Sequence, residues 1–221
     1  MGTDLHELLR SLRVWDPAVT ELPPFDPAAA PDTPLPLFTT WFAEAVAAGQ
    51  PEPHTMSLAT ADADGRPDVR IVMLHGADPA GWSFATHAGS RKGRQLAERP
   101  YAALAFYWPV LGRQVRVRGS VAPAPPEQGQ ADLHARSTGA LAAALTGRQS
   151  EVLPSTEELR RASEAAWRRA REDPTAPVPT WTLYRLCPAE VEFFQGDANR
   201  RHVRLAYTHR EGRWARELLW P

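Results

Sequence analysis

Between residues 56 and 121 the chain breaks into apolar-rich runs too short for independent helices, each closed by turn-forming residues, and this punctuation limits the possible folds more than any other feature. Runs at 56–61 and 69–74 flank Asp64-Gly65-Arg66-Pro67 and predict a hairpin. Residues 82–86 predict a third strand, and 101–108 and 114–121 two more, joined by a turn containing Pro109 and Gly112. In the last of these, Gln114, Arg116 and Arg118 alternate with Val115 and Val117, so one strand face is polar and basic. The pattern returns at 181–187, 190–195, 203–208 and 213–219.

Helical signals separate these runs. Phe38, Trp41, Phe42, Val46 and Ala47 recur at helical spacing and predict an amphipathic helix over 37–48. Ser90 is placed to cap a short helix through Leu96 and Ala97 that Pro100 closes. Helices are expected at 127–136 and 140–145, and Ser155-Thr156-Glu157-Glu158 reads as a capping box opening a helix to about Arg171. Short strands interrupted by two helical blocks predict a mainly β, α+β chain: a β-barrel decorated by helices. Residues 1–33 hold a short helix at 4–12 and the start of a Pro-rich extended stretch, so they are expected to form an arm, with one domain over 34–221.

Composition excludes several functions. With 221 residues the chain can bury a full core without disulfides, and its single cysteine, Cys187, cannot form an internal one. No apolar run approaches the roughly 20 residues of a membrane span, and the net charge of −1 gives no bias toward nucleic acid or an anionic bilayer. The start of the sequence lacks a basic region followed by an apolar one, so a reducing, cytoplasmic location is expected. The seven histidines are scattered without metal-ligand spacing. Phosphate-loop, dinucleotide and nucleophile-elbow motifs are missing from the sequence. Trp41 and Trp167 read as packing residues.

Three polar clusters remain. Residues 70–75 lie on a predicted strand. Thr86-His87-Ala88-Gly89-Ser90-Arg91-Lys92-Gly93-Arg94 joins a strand end to a helix start, where unpaired N–H groups beside Arg91 and Lys92 suit a phosphate, although a solvated basic turn has the same composition. Lys92 is the only lysine among 25 basic residues, either by chance in a chain biased toward arginine or because a compact ammonium is needed there and a planar guanidinium does not serve. In Arg200-Arg201-His202-Val203-Arg204, alternation predicts Arg200, His202 and Arg204 on one strand face.

These segments, with Arg70-Ile71-Val72-Met73-Leu74, Phe106-Tyr107-Trp108-Pro109, Arg113-Gln114-Val115-Arg116-Val117, Gln149-Ser150 and Glu192-Phe193-Phe194-Gln195-Gly196, resemble the ordered signatures of the pyridoxamine 5′-phosphate oxidase family from about residue 37 to Pro221. The resemblance implies an FMN-binding split β-barrel, a homodimer with FMN at the subunit interface, and oxidation by hydride transfer to flavin with molecular oxygen as acceptor. It implies FMN contacts from Arg70, Ile71, Val72, Met73, Leu74, Ala85, Thr86, Arg91, Lys92, Gln114, Gln149, Ser150 and Arg204, with Phe194 where the family usually has a tryptophan against the flavin. Arg200 and His202 match residues facing the reacting part of the substrate, and are the candidate catalytic pair.

The substrate side departs from the pattern. The Lys, Tyr, Arg and Ser that hold the substrate phosphate in family oxidases correspond here to His75, Asp132, Arg136 and Ala140. A carboxylate at about 4 Å from a phosphate repels it by a few kcal/mol at intermediate dielectric. Leu58-Ala59-Thr60-Ala61-Asp62, Thr86-His87-Ala88-Gly89-Ser90 and Arg148-Gln149-Ser150-Glu151 look like the phenazine-biosynthesis branch. The expected activity is therefore oxidation of a reduced, nitrogen-containing ring. The alternatives are a pyridoxal 5′-phosphate-forming oxidase with a rewired clamp, and a non-catalytic flavin-binding protein.

Overall fold

The computed structural model describes residues 4–16, 18 and 20–221. In chain order its elements are α1 (Leu5–Ser11), α2 (Pro34–Ala47), β1 (Thr55–Ala61), β2 (Pro67–Met73), β3 (Gly76–Asp78), β4 (Gly81–His87), α3 (Arg91–Glu98), β5 (Tyr101–Trp108), β6 (Arg113–Pro123), α4 (Pro126–His134), α5 (Thr138–Thr146), α6 (Thr156–Glu172), β7 (Trp181–Gln195), β8 (Val203–Arg210) and β9 (Arg213–Leu219). They pack as two compact units. One holds the described residues of Met1–Pro53 with Ala105–Arg116 and Glu190–Pro221; the other holds His54–Leu104 and Val117–Ala189.

The strand order is β2-β1-β5-β6-β7-β4-β3, and the unit that begins at His54 holds β1 to β4 with residues 101–104 of β5, 117–123 of β6 and 181–189 of β7. β1 and β2 form the antiparallel hairpin expected from Asp64-Gly65, with Thr55 opposite Met73 and Ala61 opposite Pro67. The inward row of β1, Met56 and Leu58, joins Trp82 and Phe84 of β4 in the core, and Phe84 stacks on Tyr184 with centroids 5.6 Å apart. Leu133, Leu141, Ala142, Ala144, Ala170 and Val178 form a second cluster, in which alanines let α5 and α6 approach closely. On β2, Val69, Ile71 and Met73 face outward, 64%, 65% and 49% exposed, so an apolar row lies uncovered on an edge strand.

In the other unit α2 buries Leu37, Phe38, Trp41 and Ala45. Phe38 packs on Phe106 at 5.1 Å, Trp41 on Phe193 at 5.2 Å, and Phe193 on Tyr207 at 5.7 Å. β8 pairs with residues 190–195 of β7, and β9 pairs with β8. The Pro-rich stretch packs here: Phe25 meets Trp41 edge to face, Ala30 is buried, and Tyr207 Oη donates to the Pro31 carbonyl at 2.7 Å.

The structure corrects four sequence expectations. The predicted runs 181–187 and 190–195 are one strand, β7, which continues through Pro188. Gly119 of β6 makes this possible, since a Cβ there would overlap the Cys187 carbonyl. β3 is an extra strand of three residues, too short to show alternation. β2 ends at Met73, so Leu74 and His75 lie beyond it. β8 begins at Val203, which places Arg200 and His202 in the preceding turn and not on a strand face with Arg204. That turn is built by Asp197, whose Oδ1 accepts from Asn199 N at 2.7 Å and Arg201 N at 3.2 Å, with Arg200 in the left-handed region at φ 67°.

Candidate functional site

In the His54 unit, the strand-to-helix junction forms a basic cradle. Ser90 caps α3, its Oγ accepting from Gly93 N at 3.2 Å. Gly93 is required because a Cβ would overlap the Ala88 carbonyl, so the first turn of α3 sits directly on the end of β4. This close seat carries Lys92 to Thr86 Oγ1 and Gln149 Oε1, both at 3.1 Å, while Thr86 donates to the same Gln149 oxygen at 2.8 Å. Arg91 N donates to Ser150 Oγ at 3.1 Å. Ser150 is held in the left-handed region at φ 76°, a strained backbone of the kind that persists at binding sites. Asp68, Val69, Arg70, Ile71, Arg91, Lys92, Gln149 and Ser150 line a cavity of about 460 Å³.

Arg70 braces this cradle. Its terminal nitrogens donate to Leu58 O, Thr60 Oγ1 and Gln95 Oε1 at 3.0, 2.6 and 3.2 Å, and pair with Asp68 at 2.8 Å. These bonds tie β2 to β1 and α3. Burial, then the Arg70 charge, holds the Lys92 ammonium below the usual lysine range against the opposing pull of Asp68. Burial and then Lys92 likewise lower His87, which bonds Thr180 Oγ1 at 2.9 Å through Nδ1. An anion arriving here meets cations with too little counter-charge.

A second group in the same unit joins three of the expected substrate residues. Asp132 Oδ2 lies 2.8 Å from His75 Nδ1, and its carboxylate takes Arg136 Nε at 3.2 Å and Nη2 at 3.1 Å. The His75 and Asp132 side chains are only 4% and 17% exposed. Burial works to raise the Asp132 pKa, but the hydrogen bonds and charges of His75 and Arg136 outweigh it and bring it to about 2. The α4 turn i,i+4 spacing makes the Arg136 pair, and α4 and α5 together carry the chain toward Gln149. Ala140, in the first turn of α5, contributes only its N–H, to the Ser137 cap.

The remaining expected residues lie in the other unit. Phe194 and His202 pack at 5.2 Å, and Trp15 meets both, at 6.4 and 5.5 Å. Asp197 N donates to His202 Nδ1 at 3.0 Å, so neutral His202 carries its proton on Nε2. Arg200 is exposed, with Nη2 3.5 Å from Val14 O. Arg204 pairs with Glu192, which raises its pKa, and Gln114 sits half-buried on β6. His202, Val203, Arg204, Leu218, Leu219 and Trp220 line a cavity of about 350 Å³ with Pro27 and Pro221.

Arg70, Ile71, Arg91, Lys92, Gln149 and Ser150 thus meet around one cavity, with Thr86 bonded to Lys92 and Gln149. Val72, Met73, Leu74 and Ala85 lie on or beside the same strands without lining it. Sequence reasoning missed Trp15, Asp68, Asp197 and the role of Glu192. Only Glu192 carried a signal, as a carboxylate inside the apolar run Val191-Glu192-Phe193-Phe194. Among the described residues no group of three or more His, Cys, Asp or Glu side chains is arranged to hold a metal, and no helix is long and apolar enough to cross a membrane.

Residues 42–169 match the family profile "Pyridoxamine 5'-phosphate oxidase", and 181–221 match "Pyridoxine 5'-phosphate oxidase C-terminal dimerisation region". The chain is 44% identical over 196 residues to a pyridoxine/pyridoxamine 5′-phosphate oxidase of Pseudomonas fluorescens, covering 88% of this chain and 91% of the relative. It is 47% identical over 180 residues to one of Burkholderia multivorans, covering 81% and 83%. PhzG from Burkholderia lata, solved in complex with tetrahydrophenazine-1-carboxylic acid, superposes with a TM-score of 0.85 at 31% identity, covering 90% of this chain and 99% of that one. A pyridoxamine 5′-phosphate oxidase-related, FMN-binding protein from Nostoc punctiforme shares the fold, with a TM-score of 0.67 at 22% identity over 83% and 97%.

Proposed function

The chain belongs to the pyridoxamine 5′-phosphate oxidase family, and on that premise we propose that it oxidises a reduced, nitrogen-containing ring of the phenazine type rather than a phosphorylated vitamin B6 compound. It is an FMN-dependent oxidoreductase with the family's split-barrel fold. The residues present fit FMN. Arg91, Lys92, Ser150 and the N-terminal turn of α3 supply donors for its phosphate, and Gly93 lets that turn sit against the end of β4 where a Cβ would overlap the Ala88 carbonyl. When bound, FMN would supply the redox chemistry, accepting hydride from the substrate and passing its electrons to oxygen.

The observation that carries the substrate assignment is the Asp132 carboxylate between His75 and Arg136. The Asp132 carboxylate already occupies the Arg136 guanidinium and the His75 ring nitrogen, so a substrate phosphate placed there would have to displace Asp132 or lie against it. At an effective dielectric near 20, two charges about 4 Å apart repel by ~4 kcal/mol, roughly a thousandfold in affinity. A neutral ring meets no such barrier. Similarity to PhzG, whose solved complex holds a tetrahydrophenazine carboxylate, supports the same class.

Arg200 is exposed, with a long 3.5 Å bond to Val14 O, and can pair with a substrate carboxylate through two parallel N–H groups. His202 donates from Nε2, because its Nδ1 is engaged by Asp197, and so orients a ring nitrogen or carboxylate by hydrogen bonding. Phe194 offers an aromatic face beside it. A homodimer with FMN between subunits is supported by the dimerisation-region match and by the uncovered Val69, Ile71 and Met73 row, and a cytoplasmic location accords with the lone cysteine.

One observation favours a second reading, oxidation of pyridoxine or pyridoxamine 5′-phosphate: the relatives carrying that name are 40–47% identical. Aerobic turnover by the FMN-loaded protein separates the two. Conversion of a dihydro- or tetrahydrophenazine carboxylate, with no pyridoxal 5′-phosphate formed from either B6 phosphate, is the expected result. Efficient pyridoxal 5′-phosphate formation refutes the reading of Asp132.

A further inference from the structure

Glu192 is a buried carboxylate with 4% of its side chain exposed, set among core residues of β7. A carboxylate there is tolerated only when paired and hydrogen-bonded. It accepts Arg116 Nη2 at 2.6 Å on Oε2, Arg204 Nε at 2.9 Å on Oε1 and Arg204 Nη2 at 3.1 Å on Oε2. The two bonds from Arg204 are parallel and fix the plane of its guanidinium. Arg204 Nη1 donates to the Trp220 carbonyl at 2.9 Å, so the group is held from both sides. Of its five N–H bonds, one on each terminal nitrogen is left for a ligand.

We propose that Glu192 is a positioning residue for the flavin: it locks Arg204 so that these remaining N–H bonds meet the carbonyl-bearing edge of the isoalloxazine ring, and it sets the charge that the ring experiences. The inference rests on the assignment of Arg204 to FMN made above. The ring, not the phosphate, is the fitting partner. Arg204 lines the same cavity as His202, which packs on Phe194, and these flat aromatic side chains suit a flat ligand. A rigid planar guanidinium also matches acceptors lying in one plane. Arg116 also pairs with Glu190 at 3.9 Å, so Glu190, Glu192, Arg116 and Arg204 are neutral together, and removing either kind of charge changes the potential that the ring experiences.

The charge argument predicts shifts of opposite sign from two substitutions. Glu192→Gln keeps the shape, removes the negative charge and replaces one acceptor with an amide that cannot accept from Arg204. FMN should bind about tenfold more weakly, the loss of one charge-assisted hydrogen bond, and the flavin midpoint potential should move positive. Arg116→Gln leaves the Glu192–Arg204 pair intact and lowers the local charge, so the potential should move negative with FMN affinity kept.

The measurements are FMN titration by flavin fluorescence quenching and dye-equilibrated potentiometry on the full chain, with melting of the FMN-free protein recorded alongside. Unchanged affinity and potential in Glu192→Gln, while Arg204→Ala weakens FMN, overturn the proposal and leave Glu192 a stability element. Undiminished FMN affinity in Arg204→Ala overturns the underlying assignment, and the proposal with it. If Glu192→Gln does not fold, Arg116→Gln decides the matter: a negative shift supports the proposal, and no shift or a positive one overturns it.

Discussion

Replacing Asp132 with Asn tests the central electrostatic feature without requiring a substrate. The folded protein holds the Asp132 pKa at about 2 against an ordinary 3.8, a difference that corresponds to an upper bound of ~2.5 kcal/mol of stability. Arg136 is 28% exposed and water screens its charge, which reduces the contribution to ~1.5 kcal/mol. Because the folded pKa is depressed, this stability is fully present above about pH 4 and is lost as pH falls toward 2. Asn fits the space and never ionises, so the variant should be ~1.5 kcal/mol less stable at pH 7, with the gap falling to about half by pH 3. Urea denaturation of the FMN-free protein at one concentration and several pH values reads both numbers. A gap that stays constant from pH 7 to pH 3, or no gap at pH 7, would refute the claim that the Asp132 charge is held by His75 and Arg136.

The same Asp132→Asn variant should gain affinity for pyridoxine 5′-phosphate, seen as a KM at least tenfold lower than in the parent protein or as turnover where the parent has none. Lys92→Met should weaken FMN by about tenfold to a hundredfold, measured by fluorescence quenching. Since the folded Lys92 pKa is lowered, FMN affinity should hold at neutral pH and fall at alkaline pH before an ordinary lysine would titrate, and Lys92→Arg should flatten that limb. Gly93→Ala forces a Cβ onto the Ala88 carbonyl and should cost about 2 kcal/mol, lowering the melting temperature by roughly 5 °C and weakening FMN together. Trp15→Ala removes the ring packed on Phe194 and His202, worth about 1 kcal/mol, and should speed limited proteolysis of residues 4–16 several-fold.

The parts of this molecule legible in the sequence are those fixed by local chemistry. Asp64-Gly65 sets a hairpin, Ser90 and Ser155 cap helices by accepting from residues three places on, and a lone lysine at a helix start marks a basic cradle. Arg200 and His202 were misplaced for the converse reason. Alternation reads a strand wherever side chains alternate, and it took the pairing of Asp197 with Asn199 and Arg201, two residues on either side of a left-handed Arg200, to bend the chain there instead. The strength of Asp132 was out of reach as well. Its i,i+4 pairing with Arg136 is readable on a helix, but an exposed pair of that kind contributes only ~0.3–0.5 kcal/mol. What completes the group is His75, 57 positions away in the chain, delivered just past the end of β2 to 2.8 Å from the same carboxylate oxygen. The departures from the family's clamp residues were therefore visible as a list of substitutions, whereas the meeting of His75, Asp132 and Arg136 exists only once β2 and α4 are packed. On the proposed reading, substitutions that look like the removal of ligands instead fill their site with the protein's own carboxylate.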